Sequence, residues 1–158
     1  MTDAPVLGPA RADDAEAIST LILGVQAEFN FRDYTEAGID GMREACSPAS
    51  IAGYLARGDV YFVARAAGAV VGVAGIRAPG HLTHNFVRAD FQGRGLSRAL
   101  WALARDAWLA AGHRRVFTLR ATRFALPIYE AWGFEATGPE DWLGGVPSTP
   151  MRLLLDEP

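Results

Sequence analysis

Residues 86–101, FVRADFQGRGLSRALW, join an extended apolar run to an amphipathic one through a turn that carries two glycines. This junction constrains the fold more than any other stretch of the chain. A helix that starts after such a turn leaves its first amides unpaired, with the positive end of the helix dipole behind them. Gly93 and Gly95 add no side chains, so the backbone can take positive φ and an anion can approach it closely. Arg88, Arg94 and Arg98 flank the same turn. The junction is therefore expected to hold an anionic ligand, or else to be a plain glycine turn.

Two phosphate-binding patterns fail on the residues. A P-loop needs a lysine followed by Ser or Thr after its last glycine, and the chain contains no lysine at all. A dinucleotide fingerprint needs a third glycine where Arg98 stands and an acid about twenty residues on. Charge supports an anion at this segment without identifying it. Residues 88–123 hold eight arginines against two aspartates, while the whole chain carries −3. Such a balance disfavours non-specific nucleic-acid binding and suits a compact anion beside a cationic substrate, or a salt-paired surface. Lacking lysine, the chain cannot form a Schiff base through a lysine of its own.

The flanking sequence is expected to form one domain over residues 1–158. Ile18, Leu21, Ile22 and Val25 recur at helical spacing, with Asp13 or Asp14 as the cap. Glycines and Pro48 break residues 29–58 into a mobile helix–loop–helix. DVYFVARAAGAVVGVAGIR predicts two strands turning near Ala67 and Gly68, HLTHNFVR a third, RRVFTLRA a fourth and PMRLLL a last. Leu96, Leu100, Leu103 and Ala107 stripe a helix that Gly112 closes, and RFALPIYEAW predicts a short helix stopped at Gly133. No apolar run is long enough to span a membrane. With no apolar signal segment and a single cysteine, Cys46, a soluble cytoplasmic protein is expected.

QGRGLS, residues 92–97, resembles the Q/R-x-x-G-x-G/A pyrophosphate loop of the GNAT superfamily of N-acetyltransferases. ALPIYEAWGF, residues 125–134, is similar to a second segment of that family, and RADDAEAI, residues 11–18, to its opening. The resemblance implies an α/β (α+β) GNAT fold, a mixed, mostly antiparallel sheet of about six or seven strands flanked by helices. It implies acetyl-CoA as co-substrate, no metal, and a small-molecule or peptide amine as acceptor. Its pyrophosphate would sit on Gln92, Gly93, Arg94, Gly95, Leu96, Ser97 and Arg98. Its pantetheine arm would lie along Phe86 and Val87 and near Thr122 and Ala125. Three positions depart from the pattern. Ser97 replaces a small Gly or Ala, and its hydroxyl can reach a phosphate or cap the helix. Ala89 stands where proline is frequent, and Thr122 where an asparagine is frequent.

Amide formation from a thioester needs a neutral amine, a stabilised oxyanion and a proton for the departing thiolate. The resemblance assigns the proton donor to Tyr129, whose other reading is a core tyrosine. A backbone amide of Phe86 or Val87 can hold the oxyanion. The base is open among His84, water, and the ridge of Glu36, Asp40 and Glu44, each of which also has a purely structural reading. Phe29, Phe31 and Tyr34 can wall an acceptor pocket or simply pack. His81 and His84, three apart on a straight strand, would face opposite ways, which argues against a shared metal. Trp101, Trp108 and Trp142 can serve a homodimer interface or the core. Direct transfer in a ternary complex is expected, because Cys46 lies outside both motifs; the alternative is a noncatalytic acyl-CoA-binding or sensing module.

Overall fold

The computed structural model describes residues 4–157. The chain runs β1 (Val6–Pro9), α1 (Ala15–Phe29), α2 (Glu36–Ala45), α3 (Pro48–Ala56), β2 (Val60–Ala66), β3 (Ala69–Arg77), β4 (His81–Val87), α4 (Leu96–Ala110), β5 (Val116–Ala121), α5 (Leu126–Ala131), β6 (Glu135–Ala136), β7 (Asp141–Leu143) and β8 (Val146–Leu154). All eight strands join one sheet in the order β1-β2-β3-β4-β5-β8-β6, with β7 also on β8. Among the described residues only β4 and β5 run parallel; every other pair is antiparallel. The fold is thus the expected α+β sheet, wider by the short strands β1, β6 and β7.

Local chemistry explains most of these elements. The β2–β3 turn places Ala67 at φ 51° and Gly68 at φ 77°, the paired left-handed geometry that matches the twist of a tight hairpin. Helices α2 and α3 start at Thr35 and Ser47, whose hydroxyls accept from the amides of Gly38 and Ser50. Helix α1 is capped differently from expectation. The Asp14 side chain makes no cap bond to it. Its carboxylate instead pairs with Arg65 of β2 at 2.6 Å and accepts from the Arg11 amide, which holds its pKa below the usual range.

Strand β3 is buried along nearly its whole length because helices cover both of its faces. On one face α4 sets Leu96, Leu100, Trp101, Ala104 and Trp108 against Ala64, Val71, Phe117 and Leu119. Gly72 permits this approach, since a Cβ there would lie 2.8 Å from Leu100 Cδ1. On the other face α1 and α3 pack Ile18, Ile22, Val25 and Ile51 onto Tyr61, Val63 and Val73. Trp101 and Trp108 are therefore core residues, whereas Trp142 on β7 is 57% exposed. No helix among the described residues is long and apolar enough to cross a membrane.

The sheet opens at its centre. Strands β4 and β5 pair only at His81 and Thr118, beside the Thr118 amide bond to the Gly80 carbonyl at 3.1 Å. Past that point β4 carries a bulge at Thr83, where its register on β3 slips between Leu82 and His84. A bulge bends its strand and increases the local twist. The C-terminal half of β4 therefore diverges from β5, and a cleft fills the gap.

Candidate active site

The cleft holds about 410 Å³ and is bounded by the C-terminal half of β4, the start of α4, the end of β5, α5 and the end of α1. At its α4 end the chain turns through Gly93 (φ 77°) and Gly95 (φ 75°), the latter being the residue that caps the helix. No side chain caps α4 and no acid lies in its first turn. The amides at its start thus lack helical partners and keep the positive dipole end unopposed. A Cβ added at either glycine would meet nothing within 4 Å, so the backbone faces open space. Gln92 Nε2 donates to the Val87 carbonyl at 2.9 Å, tying the turn to β4.

The wall formed by β4 has a definite polarity. Arg88 N donates to Val71 O at 2.9 Å, so Arg88 faces β3 with its backbone groups. Hydrogen-bonded and non-bonded pairs alternate along an antiparallel ladder. Phe86, opposite Val73, therefore also bonds β3, while Asn85 and Val87 turn their amides to the splay. Of the two amides expected to face the thioester, Val87 is free to donate and Phe86 is engaged with β3. Ser97 neither caps its helix nor stands free: its hydroxyl donates to Asn85 Oδ1 at 2.9 Å. The first turn of α4 is thereby fastened to the strand that faces β5.

Tyr129 comes into the cleft from α5. Its ring packs edge-on against Trp132 and Phe134, at 5.2 and 5.9 Å between centroids. Burial raises the phenol's pKa well above 10, so the hydroxyl keeps its proton at neutral pH. It makes no hydrogen bond with any described residue, unlike a core tyrosine with a satisfied hydroxyl. Thr122 Oγ1 accepts from the Ala125 amide at 3.3 Å and so caps the turn into α5. Both residues line the cleft.

A family model described as "Acetyltransferase (GNAT) domain" matches residues 30–155. The chain belongs to the GNAT acetyltransferase family. Solved GNAT structures share its fold. A GCN5-related N-acetyltransferase from Rhodopseudomonas palustris aligns with TM-score 0.79 and 21% identity, covering 98% of each chain. The PaiA N-acetyltransferase from Thermoplasma acidophilum, crystallised with coenzyme A, aligns at 0.76 and 15%, covering 97% of this chain and all of that one. The yncA protein from Salmonella typhimurium, with its cofactor acetyl-CoA, aligns at 0.70 and 19%, covering 98% and 96%. None of the curated proteins matches the sequence.

Within this GNAT domain several expected site residues lie elsewhere. His84 is buried beneath the sheet face covered by α1 and α3 and does not line the cleft. Its Nδ1 bonds the Tyr61 hydroxyl at 2.8 Å and its Nε2 meets the Cys46 thiol at 3.6 Å. Burial lowers its pKa to about 4, so it is a neutral imidazole with both nitrogens engaged. That placement corrects the expectation of a base beside the thioester. Glu36, Asp40 and Glu44 do form one ridge on α2, but it is exposed and outside the cleft. Arg94 is also exposed, lying over the Phe91 ring and donating to the Asp90 carbonyl. The bulge at Thr83 undoes the straight-strand argument for His81 and His84: both lie opposite Leu82. Each nevertheless has its own partner, His81 being hydrogen-bonded to Thr118 Oγ1 at 2.9 Å. No cluster of metal-ligating side chains exists among the described residues.

The end of the cleft beside α1 contains residues that carried no local signal. Phe29 lines it, stacked on Phe124 at 4.8 Å. Tyr34 stands behind the wall, donating to Gln26 Oε1 at 2.8 Å, and its pKa is pushed up to about 12 by burial. Gln26 Oε1 also accepts from Asn30 Nδ2 at 2.9 Å, and Asn30 does line the cleft. Arg120 enters from β5. No aspartate, glutamate or histidine lines the cleft among the described residues.

Proposed function

We propose that the protein transfers the acetyl group of acetyl-CoA to a primary amine, directly and within a ternary complex. The observation that carries this reading is the free amide cradle of Gly93 to Arg98 opening into the same cleft as the unbonded Tyr129 hydroxyl. The thioester supplies an activated acetyl group with a stable thiolate as leaving group. The amides of Gly93, Gly95, Leu96, Ser97 and Arg98 hold the pyrophosphate, with the Arg98 side chain beside it. The Val87 amide donates to the carbonyl oxygen as negative charge gathers there, a main-chain donor already in place.

Tyr129 gives its proton to the sulfur as the carbon–sulfur bond breaks. The phenol regains a proton from the nitrogen that has just formed the new amide bond, by way of water. Deprotonation of the amine before attack falls to water, because the cleft walls provide no carboxylate or imidazole among the described residues. The buried Cys46 thiol, its pKa pushed up to about 11 by burial, is unsuited to carry an acetyl group and supports direct transfer. Its reduced state suits a cytoplasmic setting. Residues 1–158 act as one transferase domain in this reading, supported by a single sheet that runs from β1 to β8.

The test is calorimetric titration with acetyl-CoA followed by thiol release across a panel of primary amines. Micromolar binding with amine-dependent release of coenzyme A is expected. Binding without release from any amine would favour a noncatalytic acyl-CoA sensor.

A further inference from the structure

The transfer reading leaves the acceptor unnamed, and the wall opposite the pyrophosphate turn narrows it. Strand β5 alternates: Phe117, Leu119 and Ala121 enter the core under α4, so Arg120 projects to the face shared with α1. Apart from Arg98 at the pyrophosphate end, Arg120 is the one charged residue lining the cleft among those described. Its Nε donates to Ser148 Oγ at 2.9 Å, and its Nη2 to the Asp141 carboxylate and the Ser148 carbonyl. These bonds hold the guanidinium plane while Nη1 makes no hydrogen bond among the described residues. Asp141 is 60% exposed at its side chain, so water screens much of its charge. A pinned guanidinium with a free edge is suited to a carboxylate.

Asn30 supplies the second group. It is only 5% exposed, and Gln26 Oε1, which also accepts from Tyr34, orients its Nδ2 inward. Its Oδ1 is left without a donor among the described residues. Unlike Trp108 Nε1, which is enclosed without a partner, this oxygen is accessible and can take a donor from water or a ligand in the cleft. An amide oxygen can orient an amine without holding it as an ammonium ion, whereas a carboxylate would stabilise the unreactive charged form. The third feature is the aromatic and aliphatic wall of Phe29, Phe124, Val25 and Ile128, where Phe124 and Ile128 remain 45% and 39% exposed.

We infer that the acceptor is a free α-amino acid with an apolar side chain, its carboxylate on Arg120, its amine on Asn30 Oδ1 and its side chain against Phe29 and Phe124. This rests on the acetyl-transfer reading. Pairing the carboxylate with Arg120 also removes the negative charge that raises the neighbouring amine's pKa, so the nucleophile is neutral more often. A polyamine fits poorly, because its second ammonium would meet apolar walls without a counter-ion.

The experiment compares leucine, leucinamide, 3-methylbutylamine and spermidine as acceptors for the native protein, followed by coenzyme A release. Leucine should exceed the amide and the decarboxylated amine by at least about tenfold in kcat/KM, chiefly through KM, as expected for a charge-assisted hydrogen bond from the free Nη1. Arg120→Gln should collapse that ratio to near unity. Equal efficiency of leucine and leucinamide, or a preference for spermidine, overturns the inference while leaving acetyl transfer intact. Silence with every amine overturns the transfer reading and this inference together. The acceptor series needs no variant, so it decides even if Arg120→Gln fails to fold.

Discussion

His84 offers a quantitative test of the buried network under the cleft. The imidazole faces the Tyr61 hydroxyl and the Cys46 thiol, with the Tyr54 and Phe86 rings beside it and Asp59 and His81 contributing charge nearby. Burial lowers its pKa from 6.5 to about 4, outweighing the opposing influence of Asp59. The unfolded chain therefore binds the proton first as the medium becomes acidic. Stability from the neutral imidazole is present above the unfolded value and is lost as pH falls toward the folded value. Between pH 7 and pH 5 such a shift removes about 2 kcal/mol. His84→Gln keeps an acceptor for Tyr61 and does not titrate, so its stability should fall that much less over the same interval. Urea unfolding followed by tryptophan fluorescence measures both proteins at each pH, and His81 and the carboxylates contribute equally to the two. Parallel pH curves for the native protein and His84→Gln would refute the buried neutral assignment.

Further expectations concern turnover. In His84→Gln the acidic limb of the pH–rate profile should remain and should move with the acceptor's own pKa across an amine series; loss of the limb would restore His84 as the base. Tyr129→Phe keeps the ring packing and removes only the hydroxyl, so acetyl-CoA affinity should hold while kcat falls by about 10²–10⁴. That loss should shrink with an acyl donor whose thiol is more acidic, and equal losses with both donors would mean the hydroxyl only positions. Gly95→Glu sets a bulky anion in the cradle at φ 75°, where a side chain is also strained, so calorimetry should find acetyl-CoA binding largely abolished in a folded protein. Asn85→Ala unties Ser97 from β4, which should weaken acetyl-CoA binding and lower kcat together; a change in only one of them would argue against this coupling.

Much of the protein was legible wherever the determining physics is local. The two glycines and the amphipathic run after them specify a bare helix start, because left-handed φ and unpaired amides depend on a few neighbouring residues. The β2–β3 hairpin, the periodic face of α1 and the Gly112 stop after α4 were legible for the same reason, and the motif around Tyr129 placed it on α5. The short strands β1, β6 and β7 were not legible, since two to four residues have no periodicity and become strands only by finding a partner edge. The direction of a side chain depends on register, and register is a property of two strands rather than one. The bulge at Thr83 decides that His84 sinks beneath the sheet while Val87 and Asn85 turn their amides to the splay. Asn30 and Arg120 lie far apart in the chain and carry ordinary local patterns. They share one cleft because β4 and β5 part after a single pair, and only the packed tertiary structure decides where that parting occurs.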